Sequence, residues 1–402
     1  MVEEQIEPAI NIAMDYIVAA LTKPLTEEEK HPRKDVEKHS RIAFKGNLED
    51  VNHFFYKRGW TDGLPIIPPT EEAVAEMLKG TDLPPDHVVE KIIPRLGKAT
   101  VEKIAINAVM AGALPTYMPV LIAGVHAALK EEVRLTAWGV STGSFAPFWI
   151  INGPIRHDLH VNSGQGVLNP GDIANAAIGR AMGLIIKNIG GARKGIEDMA
   201  MFGNTGKYTM VIAENEEASP WEPLHVEAGF KKEDSTITLT FVNHTNLLMG
   251  YGTDDKGLMR AIIYSVGGGG MGGLLWIVLK PVSAGFLGSN GWTKKEIADF
   301  VMEHARAPLH RLPQYYHVQA DPTAKPEPRE RAQILNGEDS IALFAGWPGR
   351  IHVVVAGGAG PPAGLLIRGS RHDKVTQKID LPANWDKLVE KYKDLVPTYV
   401  RY

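Results

Sequence analysis

A chain of 402 residues with 44% hydrophobic and 22% charged residues has an ordinary globular composition, and its length exceeds what one hydrophobic core normally supports. A net charge of −4 offers no basic field to nucleic acid or an anionic membrane, so neither is expected as a partner. The absence of cysteine excludes disulfides, thiolate metal ligands and cysteine nucleophiles, and the acidic start lacks a signal peptide's basic region and small-residue cleavage site, so a cytoplasmic location is expected.

Residues 3–22 read as one helix. The charged tract from Glu27 to Lys38 reads as a solvated connection, with Thr26 and Glu29 at capping-box spacing. Such an arm suits a homo-oligomer, since it can wrap a second subunit. A helix over 47–59 delivers the chain to a stiff loop, Trp60 to Thr70, in which turn formers surround the single carboxylate of Asp62. Asp62 either turns the backbone or acts as an acid, base or ligand. A helix over 71–79 and a strand over 88–93 follow. Ile104 to Leu129 carries no formal charge and is long enough to imitate a membrane span, but Pro115 and Pro119 interrupt it. It reads as two buried helices joined near Gly112.

A strand over 135–140 leads into the central block, where glycine, asparagine and single charges lie between apolar runs. Ala146 to Ile151 reads as a buried strand ended by Asn152-Gly153-Pro154. Asp172 caps a helix running to Lys187 that is apolar on nearly every side, with Arg180 its only mid-helix charge. A buried guanidinium needs a carboxylate or an anionic ligand: either a structural pair with Glu214 or Asp198, or a substrate. A strand over 208–213 stops at Glu214-Asn215-Glu216-Glu217, closely followed by Trp221.

Thr236 to Val242 alternates as a strand and is expected to end at Asn243-His244-Thr245-Asn246. A helix over 255–265, a glycine run over 267–273, a strand over 274–279 and a helix opened by the capping box of Thr293 and Glu296 come next. Residues 306–340 read as irregular. A strand over 351–355 runs into the glycine-rich loop 356–362, and a helix near 385–395 closes the chain. No fixed-period repeat is present.

Several carboxylates beside an aromatic can push one pKa upward, which makes the turn at Glu214 with Trp221 the foremost acid/base candidate. His244, past a strand end, is the best single histidine for proton transfer. Lys207, Arg180, Asn152, Trp60 and Trp221 are the expected substrate-binding groups. His157 and His160 flank Asp158 with weak metal-ligand spacing, and no metal site is assigned. The glycine loops invite a phosphate, but the first precedes a strand and prolines follow the second, so neither fits a nucleotide fingerprint. Ser141, Ser144 and Ser163 lack a nucleophile elbow. No cofactor is assigned.

Trp60 to Thr70, Gly153-Pro154, Ile178-Gly179-Arg180-Ala181, Asn188 with Gly190-Gly191, Gly206-Lys207, and Ala213 to Glu217 with Pro220-Trp221 together resemble an uncharacterised bacterial family. That family is associated with small proteins bearing a Cys-or-Sec-Gly-Ser-Cys (UGSC) motif. The likeness spans roughly residues 50–280 and implies an enzyme or enzyme subunit working with a thiol or selenol protein. It also implies a cysteine and a glutamate where this chain has Ala113-Leu114-Pro115-Thr116, and neither is there.

The expectation is an α/β fold of two closely packed lobes, with mixed or parallel sheets and glycine-rich loops at strand ends. Residues 1–46 would form the arm, 47–225 the first lobe and 226–402 the second. The expected activity is lyase or hydro-lyase acid/base chemistry on a small polar or anionic metabolite. A substrate-binding subunit for a thiol protein and a nucleotide-dependent enzyme are the alternatives. Asp62, Asn152, Arg180, Lys207, Glu214 and His244 are expected to converge on one pocket at the strand ends.

Overall fold

The computed structural model describes residues 3–30, 41–250, 252–266, 273–308, 340–342, 349–370 and 374–395. They divide into two compact units, Met1–Asn47 and Leu48–Tyr402. The first holds helices α1 (Glu3–Thr22) and α2 (Glu27–Lys30), and Ile10, Met14, Ile17 and Leu21 of α1 are exposed. Most of the charged tract that follows lies outside the described residues.

The second unit opens with α3 (Leu48–Lys57) and α4 (Glu71–Leu78), the latter started by Thr70, whose side chain accepts from Ala73 N. β1 (Val88–Ile92) and β2 (Gly97–Thr100) form an antiparallel pair leading into α5 (Val101–Met110). The uncharged stretch becomes α5 and α6 (Met118–Ala128), broken at the prolines and buried on most sides. No helix among the described residues is long and apolar enough to cross a membrane.

The expected strand over 135–140 is instead a single helical turn, α7 (Leu135–Trp138), entered through Arg134 at φ 48°. The short apolar run Leu-Thr-Ala-Trp has no period of its own, and here it finds no strand partner. β3 (Ala146–Asn152) is buried throughout, followed by α8 (Ile155–Asp158), α9 (Ile173–Asn188) and β4 (Val211–Ala213). β4 starts later than the expected 208, because Thr205–Lys207 form a 3-10 turn capped by Asn204. After α10 (Leu224–Glu227) comes β5 (Thr236–Met249), a strand twice the expected length. It carries the polar run at 243–246 through an irregularity in its pairing, with Asn243, His244 and Thr245 exposed where the strand was expected to end.

The remainder comprises α11 (Asp255–Val266), β6 (Leu275–Leu279), α12 (Pro281–Ser289) and α13 (Lys294–His304), whose capping box forms as its sequence implies. β7 (Arg306–Pro308) pairs with β8 (Ser340–Ala342), then come β9 (Ile351–Val355), β10 (Pro362–Gly369), β11 (Val375–Lys378) and α14 (Trp385–Tyr392). The chain between β7 and β8 and the glycine run over 267–272 lie outside the described residues.

The class is α/β, with a mixed seven-stranded sheet curled into a half-barrel. Its order is β4-β3-β5-β10-β6-β9, with β11 also on β5. From either edge the sheet reads alike: an outer strand, a parallel neighbour, then an antiparallel central strand. One continuous sheet therefore takes strands from both sides of residue 225. β10 and β11 run along one edge of β5 as an interrupted strand, and β10 begins at the proline after the glycine loop, a position strands tolerate. Gly364 permits the contact between β10 and β6, since a Cβ there would lie 2.2 Å from Val278 O.

Alternation sorts the strand residues onto two faces. Trp149, Ile151, Ile237 and Leu239 pack outward with α5, α6 and α9, while Leu275, Ile277 and Leu279 pack outward with α11 and α13. Phe148 and Ile150 of β3, Ile212 beside them, Trp276 and Val278 of β6 and Val354 of β9 form a third cluster. Only curling lets residues from both sheet edges meet, so this is the inner face. The edges close where Asn215 N donates to Val355 O at 2.7 Å and Gly357 N to Ser163 O at 2.9 Å.

Candidate functional site

Asn152 is the last residue of β3 and Glu214 the first beyond β4; both point to the inner face and are wholly buried. The parallel β3–β4 ladder, extended by Glu214 N donating to Ile151 O at 3.2 Å, puts them side by side. Asn152 Nδ2 donates to Glu214 Oε2 at 2.6 Å and to Glu216 Oε1 at 3.0 Å. Leu224 N, at the start of α10, also donates to Glu214 Oε2, at 2.8 Å.

Gly153, at φ 83°, turns the chain so that its N–H donates to Glu216 Oε1 at 2.7 Å. Only glycine fits, because a Cβ there would stand 2.1 Å from Asp234 O. The next turn delivers Arg156, nearly buried, whose Nε lies 3.0 Å from Glu216 Oε1. Its remaining nitrogens donate to Glu214 O at 2.7 Å and Glu217 Oε1 at 2.9 Å. The guanidinium holds the Glu217 carboxyl down at about 2.

The outer side of the cluster comes from far along the chain. Lys294, first residue of α13, donates to Glu222 O at 2.6 Å, with its Nζ 3.2 Å from Glu227 Oε2 and 3.7 Å from Glu214 Oε1. Glu227, partly open to solvent, has its carboxyl pushed above the usual range by burial, with the Glu214 charge adding to this and Lys294 and Lys374 opposing it. One ammonium thus stands between a fully buried carboxylate and a carboxyl of raised pKa.

Several buried polar atoms here have no hydrogen-bond partner: Asn152 Oδ1, Glu214 Oε1, His225 Nδ1 and Thr236 Oγ1. Thr236 faces Asn152 across the β3–β5 register, so the two side chains share the inner face, and His225 Nδ1 lies 3.8 Å from Glu216 Oε1. Thr240 Oγ1 and Trp276 Nε1, further along that face, also lack partners. Native interiors leave few such atoms, and a group of them on one face marks a place built for something polar.

The other expected site residues lie elsewhere, so the expectation of one pocket does not hold. Arg180 pairs with Asp62 through two bonds of 2.7 and 3.0 Å and donates to Pro65 O at 2.8 Å. Asn188 Nδ2 donates to Trp60 O at 2.9 Å, and Lys187 to Gly59 O. These bonds fasten the loop to α9, so Asp62 and Arg180 satisfy one another, with neither of the partners expected for Arg180. Trp60 packs edge-on against Phe54 and Phe55 at 5.9 and 5.4 Å. Lys207 pairs with Asp198 at 2.5 Å at the opposite end of β4 from Glu214.

His244 is exposed in mid-strand opposite Arg368, not past a strand end. Eight residues of β5 separate it from the Asn152 partner Thr236, roughly 26 Å at about 3.3 Å per residue. Trp221 borders the cluster without entering it: its Nε1 donates to Trp292 O at 2.8 Å, which seats the start of α13. His157 and His160 turn to different partners, Glu217 Oε1 and Lys393 O, each at 3.0 Å. No group of three or more His, Asp or Glu among the described residues could hold a metal ion.

Sequence reasoning reached Asn152 and the acidic turn but passed over Arg156, His225, Glu227, Thr236 and Lys294. For Arg156 a signal existed, a lone arginine two residues after a Gly-Pro turn at a buried strand's end. For Lys294 there was none, since nothing local links a capping box to a turn about eighty residues earlier. Comparison with protein-family models, curated proteins and solved structures finds no match to this chain.

Proposed function

We propose that the protein is an enzyme acting on a small polar metabolite by proton transfer, of lyase or hydro-lyase type, at the ends of β3 and β4. The observation that carries this reading is Lys294 standing between buried Glu214 and the raised-pKa carboxyl of Glu227. A carboxyl of raised pKa near solvent exchanges protons closer to neutral pH than an ordinary one. The adjacent ammonium is placed to stabilise negative charge developing on a substrate oxygen, while Asn152 holds Glu214 in position. Arg180 and Lys207, expected to clamp an anion, are both engaged in ion pairs, which removes the basis for preferring an anionic substrate.

The test is deuterium exchange. Pools of small metabolites incubated with the protein in heavy water and followed by proton NMR should show one compound losing a carbon-bound proton signal. Glu227→Gln should abolish that loss while saturation-transfer contacts to the same compound persist. Exchange at the wild-type rate in Glu227→Gln overturns the reading.

The absence of any cysteine favours a second reading, in which the chain presents its substrate to a separate thiol or selenol protein. Turnover would then appear only when such a protein is added.

A further inference from the structure

The acid/base reading leaves the substrate's chemistry open, and the hydrogen-bond inventory of the site narrows it. Resting on that reading of the cluster, we propose that the substrate carries a primary ammonium group, held by Asn152 Oδ1, Glu214 Oε1 and Thr236 Oγ1. The orientation of Asn152 is settled by its neighbours: Nδ2 spends its hydrogens on Glu214 and Glu216, so the atom facing away from them is the carbonyl oxygen. That oxygen accepts nothing. Glu214 Oε2 takes two donors while Oε1 takes none, since Lys294 Nζ at 3.7 Å is too far for a hydrogen bond. Thr236 stands directly across from Asn152 on the same face, with its hydroxyl unpartnered.

Most donors of the site are already committed, with one N–H of Lys294 left for the substrate oxygen it stabilises. Arg156 is occupied by Gly153 O, Glu214 O and Glu217, and Lys294 by Glu222 O and Glu227. With His225 Nδ1 turned towards Glu216, what remains beside Asn152 is three oxygens, acceptors for the three N–H groups of an ammonium. Charge points the same way. Four glutamates, Glu214, Glu216, Glu217 and Glu227, outnumber the three cations Arg156, Lys294 and Lys374, so a carboxylate or phosphate ligand would add to an existing negative excess. A bound ammonium would relieve it, and each buried oxygen left without a donor would gain one.

Calorimetric titration of the full chain with methylammonium, ethylammonium, tetramethylammonium and potassium, each as the chloride, tests this. The two primary amines should bind, and tetramethylammonium, which carries the charge without N–H donors, should not. Thr236→Val removes one acceptor without removing a bonded group, so the variant should fold as well as wild type and bind methylammonium about tenfold more weakly. Equal heats for methylammonium and for tetramethylammonium or potassium overturn the proposal, as does unchanged methylammonium affinity in folded Thr236→Val. The acid/base reading fails separately: deuterium exchange into a compound without an amine keeps that reading and ends this one, whereas amine binding with unaltered exchange in Glu227→Gln does the reverse.

Discussion

Two charged clusters of this molecule invite comparison, Arg180 with Asp62 and Arg156 with the glutamates beyond β4. In the first, a bidentate pair and backbone carbonyls engage Nε and Nη2, no buried atom of Arg180 or Asp62 is left unpartnered, and the result is a loop tied to a helix. In the second, Arg156 is equally committed, yet neighbouring Asn152, Glu214, His225 and Thr236 keep unpartnered atoms in a buried place. A closed set of partners indicates structure, and an open set indicates a site.

The largest expected effect breaks the second cluster. Arg156→Met leaves Glu216 buried without its cation, a change of the kind that costs about 3–5 kcal/mol, and urea denaturation should show a midpoint lowered to match. A midpoint near wild type would mean that the carboxylate finds another partner and that the cluster is less tightly coupled than its distances imply. Asp62→Asn strikes the first cluster, where both side chains keep some solvent contact, so the loss should be smaller, about 1–2 kcal/mol. Because that cluster is structural, methylammonium binding should be unchanged, and a weakened affinity would join the two clusters functionally.

Protonation sharpens the contrast further. Glu227 holds its proton more tightly in the folded chain than in the unfolded one, so its contribution is full below the unfolded value of 4.5 and is lost as pH rises through the raised folded value. Glu227→Gln should flatten that fall in a pH series of thermal midpoints. Glu217 runs the opposite way: its contribution is full above 4.5 and is lost as pH falls towards about 2, and Glu217→Gln should remove that acid-side loss. The carboxylate of Glu217 is well exposed, so its effect should be the smaller of the two. Least of all, His244→Ala on the exposed stretch of β5 should change the unfolding free energy from urea denaturation by less than about 0.5 kcal/mol.

Local chemistry made much of the fold legible. The apolar runs at 146, 274 and 351 became β3, β6 and β9, and the prolines in the uncharged stretch separated α5 from α6. The misses share a cause. β10 starts at a proline behind a glycine loop because β5 and β6 flank it, and β5 continues through Asn243 to Asn246 because β10 pairs with it, ladders that the local residues do not advertise. His244 was placed at a strand end for the same reason.

By itself the sequence determined the α/β class, the capping box of α13, and the candidacy of Asn152 and Glu214, since each depends on side chains within a few positions of one another. Tertiary structure alone decided that Arg180 meets Asp62, that Lys207 meets Asp198, and that Lys294 reaches Glu214. A charge declares in sequence only that it needs a partner, and which partner it gets follows from how the sheet curls and which strand ends its closure brings within reach.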